Sequence, residues 1–205
     1  GLCIRFVTDS ESVMVRWTLL KSQLAMPHMP ATGVSGVDLY EKSKAGKWRF
    51  TGNGRPTQAS NTAQFTTAPD NEYILYLPLY NGIKSVEIGV PEGRVISRPP
   101  PSTRDRLKPL VFYGTSITQG GCASRPGMAA TAITGRELDI PVINLGFSGS
   151  GKMEPEMAGL LAELDPSAYV LDCLWNMDAS MVKERVEPFV RALRRTHPET
   201  PIFLA

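Results

Sequence analysis

The spacing of apolar residues changes once along this chain of 205 residues, and this change limits the folds available to it. In the first half, Val13, Val15, Trp17 and Leu19 alternate with mostly polar neighbours, as in a strand with one buried face. Further short runs of this kind occupy residues 36–41, 47–50, 63–66, 72–80 and 85–90. Turn residues separate the runs, so the sequence predicts an all-β, jelly-roll-like sandwich domain over residues 1–98.

One pair of turn residues in this half predicts a specific strand pairing. Asn81-Gly82 stands between the last two apolar runs, and Asn-Gly is typical of two-residue hairpin turns. We therefore expect the runs at 72–80 and 85–90 to be joined as a hairpin.

The second half alternates strands with helices. Residues 97–109 are rich in proline and charge, and we place a linker at 99–109. Beyond it the pattern predicts strands at 110–113, 141–145, 168–173 and 201–204, and helices at 126–138, 155–164 and 181–196, with Pro188 kinking or bounding the last helix. This order predicts an α/β domain over residues 110–205 with a parallel sheet covered on both faces. The final strand lacks a following helix, so we expect the domain to be C-terminally incomplete and the natural protein to continue beyond Ala205.

Composition excludes several classes of partner. A net charge of +2 gives no reason to expect nucleic acid or an anionic membrane. No run of about 18 apolar residues occurs, so no membrane span is expected. Three cysteines are too few for a disulfide scaffold, and no Cys/His cluster has zinc spacing, so neither a metal nor a cofactor is predicted.

The stretch with the clearest chemistry is Gly114-Thr115-Ser116-Ile117-Thr118-Gln119-Gly120, directly after an apolar strand. A serine on a glycine-flanked turn at the carboxyl end of a buried strand is where α/β enzymes expose a nucleophile. The second glycine of the Gly-x-Ser-x-Gly elbow is absent, so this is not the α/β-hydrolase motif.

Gly-x-Ser-x-Thr-x-Gly resembles instead the first sequence block of the SGNH, or GDSL-like, hydrolases. Asn144-Leu145-Gly146-Phe147-Ser148-Gly149 resembles their second block, and Leu174-Trp175-Asn176-Met177 resembles the third. The third block usually reads Gly-x-Asn-Asp, so Leu174 and Met177 depart from it. With the N-terminal β domain, the chain resembles a bacterial subgroup of this family.

The resemblance implies a flavodoxin-like three-layer domain and a serine esterase that removes small acyl groups, often acetyl groups from carbohydrates. It implies Ser116 as the nucleophile, with Gly149 and Asn176 as oxyanion-hole donors beside the N–H of Ser116. The family's Asp-x-x-His block is absent, so the general base and its acid are expected beyond Ala205. His28 and His197 are both expected to be structural or exposed. A periplasmic or extracellular location is also implied, and the expected partner is an acyl ester or an acetylated glycan.

Alternatives stay open at this stage. Ser116 and Asn176 could be helix-capping residues, and Gly149 could serve only a tight turn. The protein could be an inactive glycan-binding module, with a sugar platform formed by Trp48, Tyr73, Tyr76 and Tyr80. Gly146–Lys152 also fits Gly-x-x-x-x-Gly-Lys, the phosphate-binding loop of nucleotide binders, although Met153 stands where such loops need Ser or Thr.

Overall fold

The computed structural model describes residues 2–101 and 107–205, which form two compact units. Residues 2–101 and 122–137 make up the first unit, and residues 107–121 and 138–205 make up the second. The linker proposed at 99–109 lies partly outside the described residues. The domain boundaries on either side of it stay a prediction.

The first unit contains two antiparallel sheets around one apolar core, as the sequence predicts for this half. Its strands are β1 (Cys3–Thr8), β2 (Ser12–Leu19), β3 (Val37–Lys42), β4 (Trp48–Gly54), β5 (Ser60–Thr66), β6 (Glu72–Tyr76), β7 (Ile83–Gly89) and β8 (Ile96–Ser97). One sheet has the order β4-β3-β6-β1-β8 and the other β5-β2-β7. Alternate residues of β2, including the fully buried Val15 and Trp17, face the shared core, because successive side chains of a strand point to opposite faces. A short helix, α1 (Ala31–Val34), lies between β2 and β3.

The hairpin predicted at Asn81-Gly82 is wrong. β6 pairs with β1 and β3, whereas β7 pairs with β2 in the other sheet, so the two runs are not neighbours. The Asn81 side chain is buried, accepts from the backbone N–H of Lys21 at 3.1 Å and donates to the hydroxyl of Ser35 at 3.1 Å. These distant partners hold residues 77–82 where the chain passes from one sheet to the other. A two-residue hairpin turn would instead keep both strands in the same sheet.

The second unit contains a parallel sheet with helices, again as predicted. Its elements are β9 (Leu110–Gly114), α2 (Ser116–Gln119), β10 (Val142–Gly146), α4 (Pro155–Ala162), β11 (Ala168–Asp172), a 3-10 helix (Leu174–Asn176), α5 (Ala179–Thr196) and β12 (Ile202–Leu204). The strand order is β10-β9-β11-β12, and the core includes Tyr113, Tyr169 and Phe189. Pro188 lies inside α5 without ending it. The three-layer, flavodoxin-like arrangement stays a prediction.

The segment that carries a 3-10 helix (Pro126–Met128) and α3 (Ala130–Glu137) belongs to the first unit, although it follows Ser116 in sequence. The fully buried Asp38 of β3 anchors it. One carboxylate oxygen accepts from the Arg125 guanidinium at 3.0 Å and from the Gly127 backbone N–H at 2.8 Å, and the other accepts from the Asn53 amide at 2.8 Å. A buried charge with three donors is well compensated, so Asp38 ties this segment to the sheet.

Candidate active site

The residues proposed for the site follow three adjacent strands of the parallel sheet. Gly114 at the end of β9 lies opposite Gly146 of β10 on one side and Asp172 of β11 on the other. Ser116 comes two residues after β9, Gly149 three after β10 and Asn176 four after β11. Parallel strands in register end at the same edge, so the structure brings these three loops to one edge of the sheet.

Ser116 is the first residue of α2 and is half-buried. The N-cap of this helix is Thr115, whose hydroxyl accepts from the backbone N–H of Ile117 at 3.2 Å. Because the cap is supplied by Thr115, helix capping does not account for the serine beside it.

Gly149 lies in the exposed loop after β10 with a φ of 75°, in the left-handed region that favours glycine. A Cβ at this position would meet no other atom within 4 Å, so open space surrounds it. The loop is held from two sides. The backbone N–H of Phe147 donates to the Gly114 carbonyl at 2.9 Å, and that of Ser148 donates to the Gln119 side chain at 2.8 Å. The turn geometry accounts for the glycine and is also compatible with a donor role.

Asn176 ends the 3-10 helix after β11, and its side-chain amide donates to the carbonyl of Ser150 at 2.6 Å. This bond joins the loop after β11 to the loop after β10. An amide NH₂ has two hydrogens, so the bond to Ser150 uses one of its two donor sites. The N-cap of α5 is Asp178, which accepts from the Met181 backbone N–H at 2.8 Å, so Asn176 is not the capping residue.

Sequence reasoning missed the polar residues that hold these loops in place. The Thr118 hydroxyl donates to the Asp172 carboxylate at 2.7 Å, and the Asn144 amide donates to the Thr118 carbonyl at 2.8 Å. Gln119 adds the contact to Ser148 described above. A polar residue inside an otherwise apolar strand, as Asn144 is in β10, is the signal that could have identified such a positioning role.

The ionisable pair Tyr113 and Glu154 holds the end of the loop after β10. The Tyr113 hydroxyl donates to the Glu154 carboxylate, which also accepts from the Lys152 backbone N–H at 2.9 Å. Burial, followed by the Glu154 hydrogen bond, raises the pKa of Tyr113 well above its ordinary value. Burial alone would raise the pKa of Glu154, but the Tyr113 hydrogen bond, backbone N–H groups and the Arg185 charge outweigh it and lower that pKa. The carboxylate is therefore held ionised at neutral pH.

The phosphate-loop interpretation of Gly146–Lys152 is not favoured by the contacts of this loop. The backbone N–H groups of Ser148, Ser150 and Lys152 donate to the Gln119 side chain, a loop carbonyl and the Glu154 carboxylate. A phosphate-binding loop needs such groups to point together at the anion. Here they are used to hold the loop itself.

His197 does not complete a triad at this edge of the second unit. His197 follows the last turn of α5, where its ring contacts Tyr169 and its Nε2 lies 2.9 Å from the Ala162 carbonyl. His28 is in the first unit, between Met26 and Met29, which form an isolated bridge.

Within the described residues, no group of three or more His, Cys, Asp or Glu side chains could hold a metal. Over the same ranges, no helix has the length and apolar character needed to cross a bilayer.

Comparison with known families identifies the class of protein. Residues 107–205 match the model of the GDSL-like lipase/acylhydrolase family, and residues 1–96 match the model of the N-terminus of SGNH-hydrolase-type esterases. The second model is named GxDLY, a pattern that Gly36-Val37-Asp38-Leu39-Tyr40 carries in this chain. The chain belongs to the GDSL-like, or SGNH, family of hydrolases.

Solved structures agree with this assignment. A protein from Bacteroides ovatus ATCC 8483 assigned as a GDSL-like lipase is 39% identical over 100% of this chain, with a TM-score of 0.91. The salicylyl-acyltransferase SsfX3 of a tetracycline biosynthetic pathway is 19% identical over 98% of the chain, with a TM-score of 0.72. A family two carbohydrate esterase from Clostridium thermocellum, solved with cellohexaose, is 14% identical over 98%, with a TM-score of 0.61. The chain spans 60%, 57% and 69% of these three proteins, and the last two show similarity of fold alone. No curated protein matches the chain.

Proposed function

We propose that this protein is a serine esterase that removes small acyl groups, acetyl above all, from a carbohydrate. The observation that carries the proposal is the convergence of three loops after β9, β10 and β11, joined by the Asn176–Ser150 and Gln119–Ser148 hydrogen bonds. An acyl-transfer site needs a nucleophile and neutral donors held in place before charge develops. Ser116, Gly149 and Asn176 are the residues of these loops that can supply both.

In the proposed reaction, Ser116 Oγ attacks the ester carbonyl while its proton passes to a histidine that acts as the general base. The oxyanion accepts hydrogen bonds from the N–H groups of Ser116 and Gly149 and from the Asn176 amide. Collapse breaks the ester bond, and the histidine returns the proton to the departing alcohol. Water then attacks the acyl-serine in the same way, which releases the acid and restores Ser116.

Two parts of the proposal, that the substrate is a carbohydrate and that the protein is exported, rest on the family and on fold similarity to a carbohydrate esterase. The role of the first unit in binding glycan is a further part of the proposal. Of the aromatic residues considered for a sugar platform, Tyr73 is fully buried, and its hydroxyl donates to the Ala68 carbonyl at 2.9 Å. A platform in the first unit would therefore have to use other aromatic rings.

The test is labelling by a fluorophosphonate probe together with turnover of acetyl esters, using protein expressed from its native reading frame. We expect one adduct that maps to Ser116, and we expect Ser116→Ala to lose both the adduct and the turnover. Ser180→Ala is a matched control, because Ser180 is an exposed serine of the same unit that bonds to Glu184 on α5. Glycan binding without an adduct in the wild type would reject the esterase proposal and favour the inactive binding module.

The oxyanion role of Asn176 has its own test. Removal of one oxyanion-hole donor costs about 10²–10³-fold in kcat, so we expect Asn176→Ala to lower kcat by that factor with little change in KM. A small loss of kcat accompanied by a lower Tm would instead mean that the amide serves only the Ser150 contact.

A further inference from the structure

Exposed apolar side chains lie on the segments that carry the candidate site residues. Ile117 is 50% exposed in α2, directly after β9, and Phe147 is 41% exposed in the loop after β10. Leu174 and Trp175 are 40% and 73% exposed in the 3-10 helix after β11. We call these four residues the apolar rim. Large apolar side chains at the surface are ordinary when scattered, but four on the three loops that carry the candidate catalytic residues form a site feature.

Trp175 is the most exposed residue of this rim, and its backbone is well fixed. It occupies the centre of the 3-10 helix, where Asn176 N–H donates to the Cys173 carbonyl at 3.2 Å and Met177 N–H donates to the Leu174 carbonyl at 3.0 Å. The neighbouring Asn176 side chain is bonded to Ser150. The Trp175 indole lies largely in solvent on the segment that also carries Asn176, so it has a large apolar face available to a ligand.

The chemistry around Trp175 selects the kind of ligand. A side chain with 73% of its surface in solvent lies on an open face, whereas a long acyl chain needs an enclosed apolar channel. Hydroxyl and amide groups of Ser148, Ser150 and Asn176 lie on the same loops as the rim. A pyranose ring matches this mixture, because it offers an apolar C–H face for stacking and hydroxyls at its edge for hydrogen bonds.

We propose that Trp175 is a specificity-determining residue that stacks on a pyranose ring in the alcohol part of the ester. This inference rests on the proposed esterase function and specifies how its site recognises a glycan. The acyl group then enters beside Ser116 while the sugar rests on the indole. Trp175 contributes to binding of the alcohol and takes no part in bond breaking.

The test compares two acetyl esters, cellobiose octaacetate and vinyl acetate, of which only the first contains a sugar ring. We expect Trp175→Ala to raise KM for cellobiose octaacetate by about tenfold, the scale of one aromatic stacking contact, with little change in kcat. Kinetics with vinyl acetate should stay unchanged, and Trp175→Phe should restore most of the loss. Leu160→Ala is the control, because Leu160 is 56% exposed on α4, away from the three loops.

A second measurement keeps the two proposals separate. Cellohexaose should quench or shift the tryptophan emission of the Ser116→Ala variant, and adding Trp175→Ala should abolish the change. Fluorophosphonate labelling of Ser116 with an unchanged KM and no emission change would overturn the role of Trp175 while leaving the esterase intact. Absent labelling with an emission change that depends on Trp175 would reject the esterase while keeping the sugar contact. Equal loss of activity on both esters in Trp175→Ala would also overturn this proposal.

Discussion

Asp38→Asn tests how the segment 122–137 is held in the first unit. The substitution keeps the size of the side chain but removes its charge and one of its two acceptor oxygens. Asp38 accepts from Arg125, Gly127 and Asn53 at 3.0, 2.8 and 2.8 Å, and all three partners are donors. An amide oxygen placed toward Arg125 and Gly127 turns its NH₂ group against the Asn53 amide. At least one donor then loses its partner, and the Arg125 charge loses its counter-ion.

The expected cost follows from burial. Removing one member of a buried ion pair costs about 3–5 kcal/mol. Asp38 is fully buried, but the Arg125 side chain is 24% exposed and regains some hydration, so we expect a loss of about 2–4 kcal/mol in the free energy of unfolding. Urea denaturation followed by tryptophan emission measures this loss, because Trp17 is fully buried in the core of the same unit. Hydrogen exchange should also accelerate most in residues 122–137.

The control for Asp38→Asn is Glu87→Gln. Glu87 pairs with Arg16 at 3.0 Å, but both side chains are 62% exposed, and such a pair contributes about 0–1 kcal/mol. A loss below about 1 kcal/mol in Asp38→Asn, or uniform acceleration of exchange over the whole first unit, would refute the anchoring role of this carboxylate.

Three further predictions concern the thiols and the second unit. Cys3 and Cys122 are exposed, whereas burial raises the pKa of Cys173 to about 12, so a thiol reagent at pH 8 should modify two cysteines in the native protein and the third only after unfolding. Because the pKa of Glu154 is lowered by folding, its stabilising contribution is present above the ordinary glutamate pKa and is lost as the pH falls through the lowered value. The stability difference between wild type and Glu154→Gln, measured by urea unfolding at several pH values, should therefore shrink in acid. Gly151→Ala should lower the Tm by several degrees, because the φ of Gly151 is 68° and the new Cβ would lie 2.1 Å from the carbonyl oxygen of Gly114. An unchanged Tm would contradict this geometry.

Much of the fold could be predicted because local periodicity and tertiary burial agree. The alternation in Val13–Leu19 predicts β2, and the apolar runs of the second half predict β9, β10 and β11 within one or two residues. Asn81-Gly82 wrongly predicted a hairpin because its local turn preference is the same whether or not the flanking strands pair. Only the distant partners of the Asn81 side chain decide that question.

The position of the candidate residues along the sheet could be predicted for a similar reason, and their catalytic roles stay a prediction. Sequence order and strand ends place Ser116, Gly149 and Asn176 at one sheet edge, which needs no knowledge of side-chain contacts. The contacts that hold the loops, such as Gln119 with Ser148 and Thr118 with Asp172, join residues 29 and 54 positions apart. A single sequence carries no signal for such pairs. The same holds for Asp38, whose partner Arg125 is 87 positions away.

The return of residues 122–137 to the first unit has a consequence for synthesis on the ribosome. The first eight β strands leave the exit tunnel first, whereas Arg125, which pairs with the buried Asp38 carboxylate, emerges later. Because burial of an unpaired carboxylate is unfavourable, we expect the packing around Asp38 to be completed only after β9 and α2 have been made. A chimaeric protein that takes its sandwich from a relative would also need residues 122–137 of that relative. A junction at the proline-rich stretch would separate Asp38 from Arg125, which neutralises its charge.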